Sequence, residues 1–407
     1  MSIVNPSSVT NKSTISQPAV SVWPRIQALR IVIRTRWMQP TLIPGAVLAN
    51  VLRGALGLTL RKLVCPEEFF NHDCAPCPLY RDCAFGQVFM PTPPSDATQL
   101  RLQQDLPRPF VIEPPGLHPD DRATADGLTF RVVLFGSAMD RLPYFISALD
   151  RLGADGMGRD RIPFQIEQIS ANHPHGDEPL LVSGSNTISL PRKVITTDDL
   201  LNTPWPVDRS PSSGASDVRR RVLARMGIGG IGDTKDTRGD VDAGSGDSKR
   251  PRMKIKFVTP LLLKSGSGID DKGNRVVARE VRDRPPFGVL IRRLRDRLSS
   301  LCAFFGTPWT HPDFAALGTM ADAVELVESQ TTWLTRNRHS TRTGHTHEIS
   351  GLVGHATYAF PTQESLDALA PLLKFGELIH VGKNAPWGNG GITSVIHVKH
   401  SAENPCE

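Results

Sequence analysis

One order of elements is read twice along this chain of 407 residues, and it limits the fold more than any other feature. In the first half, Ala28–Arg36 interleaves apolar residues with Arg30, Arg34 and Arg36, as a strand does. Within Pro44–Val64, Val47, Leu48, Val51, Leu52, Leu56 and Leu60 recur at helical spacing, with Arg53, Arg61 and Lys62 off that stripe. Arg108–Glu113 and Gly127–Phe135 read as strands, Leu142–Leu152 as a helix and Phe164–Ile169 as a strand. The second half repeats the order. Met253–Val258 is a strand, Phe287–Phe304 a helix, Thr331–Arg336 and Gly351–Ala359 strands, Ser365–Phe375 a helix and Ile392–Lys399 a strand. Each half is β-α-β-β-α-β, so the expected class is α+β, with two tandem ferredoxin-like (RRM-like) domains. The expected boundaries are a disordered tail at 1–24, a first domain at 25–205 with a cysteine-rich insertion at 65–83, a flexible linker or insertion at 206–250, and a second domain at 251–407. Asp233–Ser248 is the clearest linker, because it offers almost nothing apolar to bury.

Between the last helix and last strand runs Gly376–Ile392, with Gly382, Gly388, Gly390 and Gly391 in its loop at 382–391. Glycines permit positive φ and close backbone approach, Lys383 brings charge, and Trp387 brings a stacking face. Free amides in such a loop would suit a phosphodiester backbone, although a plain glycine-rich turn has the same composition. The helix before Phe304 carries Arg292, Arg293, Arg295 and Arg297 largely off its apolar face, where they either track an RNA backbone or form a solvated face with Asp296. A net charge of +6 permits a nucleic-acid partner without requiring one.

Four of the six cysteines, Cys65, Cys74, Cys77 and Cys83, cluster in a C-x8-C-x2-C-x5-C spacing that can set four thiolates around Zn²⁺. Four thiolate ligands make a closed structural site; His72 is an alternative ligand, and free thiols or an iron–sulfur cluster are the competing readings. Cys302 falls on an apolar helix face and Cys406 in the terminal tail. The absence of a run of 18 apolar residues argues against a membrane span. Met1–Pro18 lacks the character of a secretory signal, so a cytoplasmic address is expected. No P-loop, H-E-x-x-H or G-x-S-x-G motif occurs, and Gly227–Gly232 lacks the flanking strand and helix of a dinucleotide fingerprint.

Several pieces, in this order, resemble the CRISPR-associated repeat-RNA endoribonucleases of the RAMP superfamily, which process precursor CRISPR RNA. They are Arg53–Gly57, the cysteine cluster, Pro107–Pro115, Leu142–Ile146, Gly153–Gly158, Thr259–Lys264, Phe287–Gly306 and Gly376–Ile392. The resemblance implies two RRM-like domains and a glycine-rich loop facing an RNA hairpin. It also implies cleavage without a metal, in which a 2′-hydroxyl attacks the adjacent phosphate and leaves a 2′,3′-cyclic phosphate. Its partners would be CRISPR repeat or guide RNA and other effector-complex subunits. Histidine suits the proton transfers of such a reaction, and family members often carry one near the first helix; Pro44–Val64 contains none. The expected acid–base group is His380, with Lys383 or Arg53 stabilising charge, and His72, His345 and His347 are further candidates. His355, inside a strand, reads as structural. The expected RNA contacts are Gly382, Lys383, Trp387, Gly388, Gly390, Gly391, Arg292, Arg293, Arg295 and Arg297. The rival readings are a catalytically silent RAMP subunit that only binds guide RNA, and a zinc-stabilised protein-interaction module.

Overall fold

The computed structural model describes residues 23–41, 45–93, 106–118, 121, 123–182, 184, 187–208, 250–265, 268–269, 275–276, 278–310, 313–335, 337–339, 346–382 and 384–397. The readings placed on Lys383, Asp233–Ser248, His345, Cys406 and the side chain of His347 lie outside the described residues.

The first half comprises β1 (Gln27–Trp37), α1 (Gly45–Val64), α2 (Ala84–Phe89), β2 (Phe110–Glu113), β3 (Gly127–Phe135), α3 (Leu142–Asp155), β4 (Phe164–His173) and β5 (Gly176–Val182). A strap follows: β6 (Ile195–Thr196), α4 (Thr197–Asn202) and β7 (Val207–Asp208). The second half comprises β8 (Arg252–Leu261), α5 (Phe287–Phe305), α6 (Phe314–Asp322), β9 (Glu325–Leu334), β10 (Gly351–Ala359), α7 (Gln363–Ile379) and β11 (Ile392–His397). The chain is therefore mixed α+β, and its two large sheets repeat one strand order. The first is β2-β3-β1-β4-β5, with β6 also on β1, and the second is β9-β10-β8-β11-β7. Main pairings are antiparallel, while β7 lies parallel to β11, so the strap from the first half completes the second sheet.

Local sequence explains most elements. Leu48, Leu52, Leu56 and Leu60 of α1 are fully buried, and each such leucine contributes about 1.5–3 kcal/mol. Thr362 and Ser365 close a capping box at the start of α7. β3 is apolar almost throughout because both faces are covered. Phe130, Val132 and Leu134 pack with α1 and α3, whereas Val133 and Phe135 join the core of the second half. Two expectations differ in extent. β9 begins at Glu325, not Thr331, because most of its residues are only half-buried and no two-residue alternation marks it. The nine-residue α6 was not anticipated, since Ala, Gly and Thr give it little apolar periodicity; Asp313 caps it by accepting from the Ala316 amide at 2.7 Å.

Candidate nucleic-acid interface

The glycine-rich loop does not stand free in solvent: it wedges between its own sheet and the first half of the chain. Gly388, at φ +76°, is a point of close approach; a Cβ there would lie 2.5 Å from the Ala49 side chain on α1 and 2.7 Å from the Ile112 carbonyl on β2. Gly390, at φ +73°, would place a Cβ 1.9 Å from the Val381 carbonyl. The amides expected to meet an anion are turned inward. Gly388 N–H donates to Ala385 O at 2.9 Å, Gly390 N–H to Pro260 O at 2.9 Å, and Gly391 N–H to Thr259 Oγ1 at 2.7 Å. This corrects the expectation for Gly388, Gly390 and Gly391: they are buried and their donors are used to close the loop. Gly382 is half-buried.

Trp387, on the same loop, is half-buried and meets two guanidinium groups from the first half. Arg53 of α1 lies 4.3 Å from its ring centroid and Arg108, just before β2, lies 5.6 Å away. Arg108 also donates from Nε to Phe89 O at 3.0 Å. Guanidiniums on an indole face are attracted by its quadrupole, and here they stay partly open to solvent. Arg53 and Trp387, distant in sequence, are thus brought together with Arg108, which the sequence reading did not single out.

His380 does not fit the acid–base role expected of it. It is 0% exposed, and burial pushes its imidazole down to about 4, partly opposed by Glu113, so the ring is neutral near neutral pH. Its Nδ1 donates to Asn389 O at 3.0 Å, and its Nε2 lies 3.9 Å from Glu113 Oε1 with no hydrogen-bond partner. Its backbone sits at φ +57° and ψ 164°, a region nearly reserved for glycine that costs a side-chain-bearing residue roughly 1–3 kcal/mol. His380 therefore locks the junction. A reagent in the cleft cannot reach either nitrogen.

Beneath it is a charged network that the sequence reading missed. Glu113, fully buried at the end of β2, accepts from Arg30 at 3.0 Å and faces His118 Nε2 at 2.9 Å. Burial alone would push its carboxyl up, but Arg30 and His118 hold it far below the usual carboxylate range. Glu377 on α7 accepts from the Ser394 amide at 2.6 Å, and burial pushes its carboxyl up to about 7. A lone acid closing an apolar strand, as in Phe110–Glu113, was the one signal available in advance.

The arginine helix resolves largely into internal contacts. Arg292 pairs with Asp322, and Arg293 donates to Lys264 O at 3.2 Å. Arg295 pairs with Asp296 at 2.8 Å. Arg297, expected off the apolar face, is buried and donates from Nε to the Ile379 carbonyl at 2.9 Å, satisfying the C-terminal end of α7. Burial, with Arg108 nearby, lowers its guanidinium to about 9. Arg297 is thus structural; Arg292, Arg293 and Arg295 remain half-buried at the surface.

The four clustered cysteines lie between α1 and α2, half-buried, in a segment where no side chain from 65 to 83 is fully buried. Cys83 caps α2, its Sγ accepting from the Gly86 amide at 3.4 Å. The Cys74 thiol is raised by burial, lowered in part by Arg61, and raised again by Cys83, Cys65 and Cys77, so these three sulfurs lie near that of Cys74. No three of them lie within 4.8 Å of each other, so a shared ion needs side-chain rotations. His72 is exposed on the same segment, and Cys302 is core, its thiol pushed up to about 12 by burial. His355 is buried within β10, as expected of a structural residue.

Residues 255–392, from β8 through the glycine-rich loop, match the profile of the family described as CRISPR-associated endoribonuclease Cas6. That stretch is similar to the Cas6 family. Residues 26–193 match a second family, described as AF_1859_N, N-terminal domain. Among solved structures, a Cas6 product complex aligns with TM-score 0.45 and 15% identity over 91% of this chain and 99% of its own. Thermus thermophilus Cas6 aligns with TM-score 0.43 and 13% identity, over 91% and 99%. A partial Cas6-RT-Cas1–Cas2 complex aligns with TM-score 0.46 and 11% identity, over 93% of this chain and 48% of that one. No curated protein matches this chain significantly. The Cas6 match bears out the resemblance to CRISPR-associated repeat-RNA endoribonucleases. No helix among the described residues is long and apolar enough to cross a membrane.

Proposed function

We propose that this protein binds the hairpin of a CRISPR repeat RNA in the cleft where Arg53, Arg108 and Trp387 meet, and cleaves it without a metal ion. The observation that carries the reading is the Cas6 match across the half that supplies Trp387, against which the first half sets two guanidiniums. In the proposed reaction the 2′-oxygen forms a bond to the adjacent phosphorus and the bond from phosphorus to the 5′-oxygen breaks. The 2′-hydroxyl proton goes to solvent, the 5′-oxygen takes one from solvent, and the products are a 2′,3′-cyclic phosphate and a 5′-hydroxyl. Arg53 and Arg108 stabilise the phosphorane charge, Trp387 offers a stacking face for a base, and Lys383 is a candidate for a further phosphate contact. Each half is read as a ferredoxin-like domain. Cytoplasmic location, retention of the product guide RNA and assembly with other CRISPR proteins belong to the same proposal.

We also propose that Cys65, Cys74, Cys77 and Cys83 hold a structural Zn²⁺. The nearness of the other three sulfurs to that of Cys74 and the lack of any buried side chain in that segment support it: a surface loop without a core needs another tether. The ion would pin the segment between α1 and α2 and take no part in cleavage.

The burial of His380 favours one rival, a subunit that binds guide RNA without cutting it. The deciding experiment incubates the purified protein with labelled repeat RNA in EDTA, alongside RNA carrying a 2′-deoxy substitution at each candidate site. Cleavage abolished by one deoxy substitution, and strongly slowed in Arg53→Ala and Arg108→Ala, is the expected result. Tight binding without cleavage establishes the silent subunit; neither binding nor cleavage sinks the RNA reading.

A further inference from the structure

Away from the cleft, His173 ends β4, Pro174 and His175 form the turn to β5, and Asp199 lies in the first turn of α4. The sheet brings them together. β4 pairs with β1 as far as Asn172 opposite Arg30; β6 then takes the same side of β1, opposite Ala28 and Gln27, and leads directly into α4. His173 Nε2 lies 3.4 Å from Asp199 Oδ2, and His175 Nε2 lies 3.3 Å from Asp199 Oδ1. All three ligand atoms fall within 4.8 Å of one another, which holds for no other group of His, Cys, Asp or Glu side chains among the described residues.

We propose that His173, His175 and Asp199 form a binding site for a divalent transition-metal ion of the Zn²⁺ class. Two imidazole nitrogens and a carboxylate are the donors such ions favour. Bonds of about 2.05 Å in a tetrahedron put neighbouring ligand atoms roughly 3.3 Å apart; each imidazole stands at about that distance from a different Asp199 oxygen, so a small shift brings one carboxylate oxygen and both rings onto a single ion. The carboxylate is already oriented: Asp199 Oδ2 accepts from the Thr196 amide at 2.8 Å and from Thr196 Oγ1 at 2.6 Å. Bonds of this kind hold a ligating carboxylate in place. The His175 ring is 66% exposed, so a fourth position opens to water. One contact opposes the site. His173 Nδ1 accepts from the His175 amide at 3.2 Å, and metal at Nε2 requires the ring proton to move to Nδ1 and that contact to be given up. The site is therefore weaker than a closed thiolate site, and protons compete for it.

Its consequence is mechanical. The strap starts on β1 through β6, packs on α7, where Lys374 Nζ donates to the Leu201 carbonyl at 3.3 Å and lies 4.6 Å from the Trp205 ring centroid, and ends as β7 on β11. A metal joining the β4–β5 turn to α4 clamps the strap that links the two sheets.

The test uses the full chain stripped of metal and then titrated with Zn²⁺. Bound metal per chain is counted by elemental analysis, and the melting temperature is followed, for wild type, His175→Ala and Asp199→Asn. His175 is exposed and Asn can still accept from Thr196, so both variants should fold, and each is compared with its own metal-free form. The expected result is that each variant binds one ion fewer per chain than wild type and loses the part of the Zn²⁺-dependent rise in melting temperature that this ion supplies. With Co²⁺, the ion lost should carry weak visible bands and no thiolate charge-transfer band, which separates it from the cysteine cluster. Equal metal content and equal stabilisation in wild type and both variants would overturn the proposal. No RNA is present, so failure here leaves the RNA reading untouched.

Discussion

Glu377 and His380 are neighbours at the junction of the two halves, and their protons respond to pH in opposite senses. Burial pushes Glu377 up from 4.5 to about 7, against the Ser394 hydrogen bonds and the charges of Arg30 and Lys374. Burial pushes His380 down from 6.5 to about 4. A raised carboxyl keeps its proton in the folded state after the unfolded chain has lost it. Its contribution to stability is complete below pH 4.5 and is lost as pH rises through about 7. A depressed imidazole does the reverse: its contribution is complete above pH 6.5 and is lost as pH falls through about 4. One proton of difference changes stability by about 1.4 kcal/mol per pH unit, so each group accounts for about 3 kcal/mol over its window. Between pH 4.5 and 6.5 the two slopes are equal and opposite, and they cancel in the wild-type protein. Single substitutions unmask them. Urea-unfolding free energies at half-unit steps, taken as variant minus wild type, remove the titration of every other group. Glu377→Gln should gain on wild type as pH rises through this range, and His380→Asn should fall behind, each by about 1.4 kcal/mol per unit. Flat difference plots, or plots of the same sign, would refute the reasoning.

Gly390→Ala sets a Cβ against the Val381 carbonyl at positive φ, and should cost about 1–3 kcal/mol in urea unfolding while weakening RNA binding in parallel. Trp387→Ala removes the ring that Arg53 and Arg108 face, and should weaken repeat-RNA binding by about 1–3 kcal/mol in an equilibrium titration if a base stacks there. Arg53→Lys keeps the charge but loses the planar stack, so it should reduce affinity less than Arg53→Ala does. Cys74→Ser with Cys77→Ser should release one Zn²⁺ per chain and open the segment between Val64 and Ala84 to limited proteolysis; unchanged metal content and protease resistance would remove the cysteine proposal.

The sequence by itself determined the elements that carry a clear period. α1 and α5 bury one face, so their leucines recur at helical spacing. β3 and β10 were read with their observed ends, Gly127–Phe135 and Gly351–Ala359, because turn residues or a change of period mark each boundary. The repeated element order followed from these, while the family resemblance rested on short motifs such as Arg53–Gly57 and Gly376–Ile392. What the chain could not reveal in one dimension was the direction in which a residue faces. Gly388 and Gly390 look alike whether a loop is open to phosphate or pressed against α1 and β2. His380 looks like an available base until its ring is found enclosed beside Glu113. Arg297 looks like one more surface cation until it meets the end of α7. The pairs Arg53–Trp387 and His173–Asp199 come from segments with no local signal in common. Burial, and with it the proton affinity of each of these groups, depends on which surfaces meet when the halves pack, and only the tertiary structure decides that.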